Sequence, residues 1–129
     1  HLYICGPKGM IDWVVNEASK LGWPNETIHY EEFLAPKPGK PFQVKLSASN
    51  KVVNVGENES LLEAIEREGV DAPYLCRGGA CGQCETSVIE ADGEFIHRDH
   101  WLEDDDKSSG KKIMPCVSRF DGKTLVLDR

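Results

Sequence analysis

The cysteines constrain this chain more than any other feature. Three of them sit in one run, Cys76-Arg77-Gly78-Gly79-Ala80-Cys81-Gly82-Gln83-Cys84, with the spacing C-x4-C-x2-C. Cys116 stands alone downstream and Cys5 alone near the start, making five in 129 residues. An odd number, with three crowded into one stretch, is a poor disulfide framework. No secretory signal pattern is read at the start, so the expected compartment is the reducing cytoplasm, where clustered thiols bind metal or carry redox chemistry. The fold must therefore bring a glycine-rich loop and one remote cysteine to the same place.

That spacing, with its fourth cysteine far along the chain, is the plant-type [2Fe–2S] pattern. Each iron takes two thiolates, and sulfides bridge the two irons. The expected ligands are Cys76, Cys81, Cys84 and Cys116. Such a centre carries net negative charge and gains more on reduction, so removing it from water is costly unless donors surround it. The loop is expected to turn its backbone N–H groups inward. Gly78, Gly79 and Gly82 would supply permissive dihedrals and close approach, and Ala80 would avoid a clash. Arg77, beside the first ligand, would be exposed, free to pair with a partner's carboxylate or to favour reduction by its charge. Four cysteines can also hold structural zinc, although zinc sites are usually built from paired C-x2-C elements. A Rieske centre needs two histidines in place of two cysteines, and no histidine lies near these four in sequence.

The remaining composition narrows the partners. A formal charge of −7 without a Lys/Arg cluster argues against nucleic acid. No stretch approaches the roughly 20 apolar residues of a membrane span. With hydrophobic residues at 40% and charged residues at 29%, a folded chain is expected. The run Ala35-Pro36-Lys37-Pro38-Gly39-Lys40-Pro41 reads as an extended, semi-rigid connector. It separates residues 1–34 from 42–129.

The first segment reads as a buried strand at Leu2 to Cys5, a helix carrying Met10, Ile11, Val14, Val15, Ala18 and Leu21 and ended by Gly22, and a strand from Ile28 to Phe33. So small a unit cannot cover both faces of a parallel sheet, and it is expected to be the end of an incomplete α/β domain whose apolar face packs only partly or pairs with another copy. The second segment alternates, with Phe42, Val44 and Leu46 on one face and Gln43, Lys45 and Ser47 on the other, and Lys51 to Val55 returns as a partner strand. Ser60-Leu61-Leu62-Glu63 fits a capping box opening a helix with an apolar face of Leu61, Leu62, Ala64 and Ile65, ended by Gly69. Glu85 to Glu90 and Thr124 to Leu127 complete the expected strands of a small α+β sheet crossed by one helix.

With these residues in view, residues 42–129 resemble the plant-type ferredoxin family, which implies a β-grasp fold. The cysteine pattern carries the likeness. His97-Arg98-Asp99-His100, Glu103 to Asp106, Met114-Pro115-Cys116-Val117-Ser118-Arg119 and Leu125-Val126-Leu127-Asp128 bring it closer to the ferredoxin domains of phthalate dioxygenase reductase and vanillate demethylase reductase. Residues 1–34 look like the end of the nicotinamide domain in that family, through Tyr3-Ile4-Cys5-Gly6-Pro7-Lys8-Gly9-Met10. The resemblance implies a parent with an FMN domain, an NADH-binding domain and a [2Fe–2S] ferredoxin domain, its flavin domain as electron donor and a Rieske-type oxygenase as acceptor. It also implies that Cys5, Gly6 and Pro7 approach the nicotinamide. The flavin barrel and the start of the nicotinamide domain are not in this sequence. A hydride delivers two electrons together and the cluster takes one, so this chain is expected to be a fragment that does not oxidise NADH alone.

Other residues carry narrower expectations. Cys5 reads equally as a small buried hydrophobe, and Gly6-Pro7-Lys8-Gly9 as a plain turn or an anion-binding helix entry. Glu85 would oppose reduction if it lay close to the cluster. Glu103 to Asp106 would be a solvated face or a dock for a basic partner. His97 and His100 are expected to be structural or at the surface, Trp13 and Trp23 to pack, and Met114 and Pro115 to shape the approach of Cys116.

Overall fold

The computed structural model describes residues 1–6, 8–32 and 36–129. Pro7 and Phe33, singled out above, lie outside the described residues. The chain forms two compact units, His1–Ala35 and Pro36–Arg129. Among the described residues no helix is long and apolar enough to cross a membrane.

In the first unit, strand β1 (Leu2–Gly6) pairs in parallel with β2 (Ile28–Glu32), joined through helix α1 (Lys8–Lys20) and a single 3₁₀ turn at Asn25–Thr27. Gly22, at φ +82°, closes α1 as expected. Its N–H reaches Ser19 O, and the next N–H, of Trp23, reaches Ala18 O, satisfying carbonyls that the helix end would leave free. Ile11, Ala18 and Ile28 are buried, while Tyr3, Met10, Trp13, Leu21, Trp23 and Tyr30 are exposed. Two expectations change here. β1 is a strand but not a buried one, and Trp13 and Trp23 do not pack into a core, because two strands and one helix offer too little surface to cover them. The expected uncovered apolar face is present.

The second unit is a five-stranded mixed sheet in the order β4-β3-β7-β5-β6. Its strands are β3 (Phe42–Leu46), β4 (Lys51–Val55), β5 (Thr86–Ile96), β6 (Lys112–Ile113) and β7 (Arg119–Leu127). β3 runs parallel to β7, and the other pairings are antiparallel. Helix α2 (Leu61–Arg67) opens with the expected capping box, Glu63 N donating to Ser60 Oγ at 3.0 Å and Ser60 N to Glu63 Oε2 at 2.9 Å. Leu61, Leu62, Ala64 and Ile65 are buried in one core with Phe42, Val44, Leu46, Val53, Val55, Phe120, Leu125 and Leu127. This is the expected α+β, β-grasp arrangement.

The sheet extends beyond the sequence reading. β5 continues past Glu90 to Ile96, with register irregularities between Val88 and Glu90 and between Asp92 and Gly93, and its Gly93 faces Gly122 of β7 so closely that a Cβ on either would strike the opposite backbone. A short helix, α3 (Asp104–Ser109), and strand β6 were not expected. The acidic run supplies the first turn of α3, where carboxylates oppose the positive end of the helix dipole.

Residues 36–41 have no regular secondary structure, yet they are held from Lys37 onward. Arg98 donates to Lys37 O and Pro38 O. Arg119, 2% exposed, donates to Gly39 O, Lys40 O, Gly56 O and Glu59 O at 2.8–3.3 Å. Burial, and repulsion by Arg98, lower its affinity for the proton. A Cβ on Gly39 would stand 2.5 Å from Arg119 Nε, so glycine is what lets the segment close over the guanidinium. We predict that Arg119→Met, which keeps bulk but removes the donors, destabilises the second unit by about 3 kcal/mol. Urea unfolding checks this, and an unchanged midpoint would show that the four carbonyls do not depend on the arginine.

Candidate metal centre

The loop from Cys76 to Cys84 leaves the end of α2 and enters β5. Its backbone departs from ordinary conformations at three places: Arg77 at φ +55°, Gly79 at +79° and Gly82 at +77°. The special dihedrals therefore fall on two of the three expected glycines and on Arg77, which an L side chain adopts at a cost. Gly78 instead contributes its N–H, which donates to Cys76 Sγ at 3.3 Å. Burial pushes the Cys76 thiol up, but N–H groups of Gly78, Ala80 and Cys81 and the Cys81 thiol outweigh it and bring Cys76 down to about 6. Ala80 is exposed, and its N–H is one of these donors. The loop does turn its donors inward.

Gly79 is the junction. It is buried, and a Cβ on it would stand 2.8 Å from Val117 Cγ2 and 3.0 Å from Asp99 Cα. Its N–H reaches the Cys116 thiol, and its carbonyl accepts from His100 N at 2.9 Å. Asp99, 4% exposed, ties the surrounding segments together. It accepts from Leu102 N at 2.8 Å and from Ser118 Oγ at 3.1 Å. Burial would raise its carboxyl, but these donors hold it below the usual value. His97 stacks on Phe95 with ring centroids 5.6 Å apart, a structural position, and His100 is at the surface, both within what was expected.

Cys116 arrives on a turn in which Val117 N and Ser118 N both reach Met114 O. Met114 and Pro115 are buried there, and Pro115 O accepts from Leu62 N at 3.0 Å, one of the free N–H groups at the start of α2. Cys84 sits in the turn Gly82–Glu85, closed by Glu85 N to Gly82 O at 3.1 Å. The Cys84 and Cys116 sulfurs lie 3.2 Å apart, both within the apolar core. Hydrogen bonding between the two thiols lowers Cys84 to about 7 against the effect of burial. The same bond and burial push Cys116 well above the usual thiol range.

Among the described residues, no three His, Cys, Asp or Glu side chains share one ion-sized point. A two-iron centre divides four thiolates two and two, so it does not require that convergence, whereas a tetrahedral zinc does. The loop, its N–H groups and the space kept free by glycine fit a [2Fe–2S] group.

The remaining predicted residues fall elsewhere. Arg77 is not a free cation: it makes a bidentate pair with Glu66 at 2.7 and 3.1 Å and lies 3.7 Å over the Tyr74 ring. Hydrogen bonding to Glu66 raises its affinity for the proton. Glu85 accepts from Trp101 Nε1 at 3.1 Å and stands 3.5 Å from Lys112 Nζ. Cys5 belongs to the other unit and is exposed, in a shallow groove with Tyr3, Ile4, His29, Tyr30 and Glu31, so the buried-hydrophobe expectation does not hold. Gly6 ends β1. Sequence reasoning missed the roles of Asp99, Ser118, Gly79 as a junction, and Trp101. The only available signal for them was their nearness to the cysteine motif and the His97–His100 segment.

Residues 44–121 match the model of a family described as the 2Fe-2S iron-sulfur cluster binding domain. The chain belongs to that family. Over 128 residues it is 45% identical to the heme-dependent oxidative N-demethylase beta subunit of Ectopseudomonas mendocina, a match covering 99% of this chain and 40% of that protein. It is 46% identical over 130 residues to the carnitine monooxygenase reductase subunit of Acinetobacter pittii, covering 99% and 42%. A solved phthalate dioxygenase reductase, described as a modular structure for electron transfer from pyridine nucleotides to [2Fe–2S], is 39% identical with a TM-score of 0.65, covering 100% of this chain and 40% of that one. The chain thus spans about two fifths of the length of the curated relatives it matches.

For the 2Fe-2S family member in its cluster-free form, we predict that alkylation of Cys76 by iodoacetamide is half-maximal near pH 6, because the thiolate is the reactive form. Peptide mass spectrometry across pH separates Cys76 from the other cysteines. A midpoint near the ordinary thiol value of about 8.5 would show that the N–H groups do not face that sulfur.

Proposed function

We propose that residues 36–129 transfer single electrons through a [2Fe–2S] cluster held by Cys76, Cys81, Cys84 and Cys116. A cluster of this kind supplies one-electron exchange without proton transfer. The protein's own part is to hold the four thiolates, point N–H groups of Gly78, Gly79, Ala80 and Cys81 at them, and keep water off the buried side through the core that contains Cys84 and Cys116. The observation that carries this reading is the pairing of those two buried thiols beside a loop whose N–H groups lower Cys76.

For the longer protein that the relatives' lengths suggest, we propose an NADH-dependent reductase. Residues 1–34 would be the last part of its NAD-binding domain, with Cys5, Gly6 and Pro7 on the nicotinamide side. An FMN domain would split the hydride's electron pair and feed the cluster. The acceptor would be an oxygenase, and we favour a Rieske-type one. The E. mendocina relative, named as heme-dependent, supports a haem oxygenase as a second reading. The odd cysteine count and a spacing suited to metal rather than to disulfides support a cytoplasmic setting.

The test is EPR of the anaerobically purified chain before and after dithionite, with iron, sulfide and zinc measured on the same sample. The expected result is equal iron and sulfide, silence as isolated and a single spin on reduction. Cys116→Ser is expected to lose that signal. Zinc without sulfide, with no spin on reduction, would overturn the reading in favour of a structural zinc module.

A further inference from the structure

The turn that carries Cys84 has a cover of its own. The indole of Trp101 occupies the space that a side chain at Gly82 would take: a Cβ there would overlap Cε2, Cζ2 and Cδ2 of the ring. Trp101 also donates from Nε1 to Glu85 Oε2 at 3.1 Å. Gly82 and Glu85 are the first and last residues of the turn, so one side chain spans it from end to end. The backbone on either side of the tryptophan is fixed as well. His100 N is bonded to Gly79 O at 2.9 Å, and Leu102 N to Asp99 Oδ2 at 2.8 Å. Lys112 holds Glu85 from behind, at 3.5 Å, and Asp106 at 3.2 Å. Trp101 is 48% exposed, whereas Cys84 beneath the turn is 3% exposed.

An indole packed on one end of a proposed ligand turn and bonded to the other end bears directly on that turn. We propose that Trp101 is a positioning residue that shields the Cys84 side of the metal centre from water. This rests on the assignment of the four cysteines to a [2Fe–2S] cluster. The physical consequence is directional. Reduction adds negative charge, water stabilises that charge, and solvent exposure is one of the factors that set the potential of such centres. Removing the shield therefore favours the reduced state. Glycine at position 82 is required by the same arrangement, both for its positive φ and for the space the indole takes.

The experiment uses the full chain with its cluster, comparing wild type, Trp101→Ala and Trp101→Phe. Midpoint potentials come from redox titration. Water access comes from the deuterium modulation in pulsed EPR of the reduced protein exchanged into D2O. Trp101→Ala is expected to raise the potential and deepen the deuterium modulation. Trp101→Phe, which keeps an aromatic ring at this position but loses the second ring and the bond to Glu85, is expected to stay nearer wild type than the alanine variant in both. If the alanine variant does not load, Trp101→Leu against Trp101→Phe gives the same comparison. A truncated variant with a full spin signal but unmoved potential and modulation overturns the shield, leaving the tryptophan as ordinary packing. A wild-type chain with no spin on reduction overturns the cluster assignment itself, a result distinguishable because it precedes any variant.

Discussion

Two sulfur atoms 3.2 Å apart at the edge of an apolar core impose a condition that the rest of the second unit answers. Thiolates in such a place are stable only if donors replace the water they lose. The answer begins with the bond between the two thiols and continues in backbone: N–H groups of Cys84 and Cys116 face Cys84, and that of Gly79 faces Cys116. N–H groups of Gly78, Ala80 and Cys81 do the same for the exposed Cys76. Backbone donors cannot rotate away as side chains can, so the loop must be held in shape from outside. Asp99 does this by binding Leu102 and Ser118 on either flank, and His100 does it by closing on Gly79 O. Helix α2 contributes through its own need: the N–H of Leu62, free at the helix start, is satisfied by the carbonyl preceding Cys116. A helix cap and a ligand turn thus stabilise each other.

The opposite charge is buried by the same logic at the start of β7. Arg119 is almost wholly enclosed, with four carbonyls in place of carboxylates. No acid pairs with it at hydrogen-bond distance among the described residues, so its charge is spread over peptide dipoles. Because two of those carbonyls belong to Gly39 and Lys40, the arginine fastens the proline-rich segment to the body of the unit. The prolines stiffen that segment and the arginines direct it, and neither effect alone would fix where it leaves the sheet.

What the sequence disclosed, and what it withheld, follows from how local each cause is. The capping box at Ser60, the alternation over 42–46 and the helix-ending glycines Gly22 and Gly69 depend on neighbours a few residues away, and all appear as expected. The cysteine spacing was legible because thiolate chemistry needs that spacing. The long pairing of β5 with β7 was not, because it depends on Gly93 meeting Gly122 across the sheet, a contact between residues distant in sequence. An isolated glycine in either segment reads as a break. The same reason hid Trp101: its significance lies in Gly82 and Glu85, and no local pattern links them. In the first unit Trp13 and Trp23 were expected to pack and are exposed, because two strands and one helix provide too little surface to cover them, whereas the uncovered apolar face itself was expected.

The charge around the loop also differs from what the composition suggests. A net charge of −7 and a run of four acids invite a picture of an acidic face waiting for a basic partner. In the folded chain, three of those acids form the first turn of α3, and Asp106 is engaged by Lys112. Glu85 is engaged by Lys112 and Trp101, and Arg77 by Glu66 and Tyr74. Arg77 and Glu85, the charged neighbours of Cys76 and Cys84 in sequence, are therefore already paired within the chain, while Tyr74, Leu75 and Trp101 are exposed. Paired charges contribute weak, short-range fields. The electrostatics felt by a group in the loop are thus set mainly by its inward N–H donors and by how far water is kept from it, and both of these are properties of the backbone and of Trp101 rather than of the net charge.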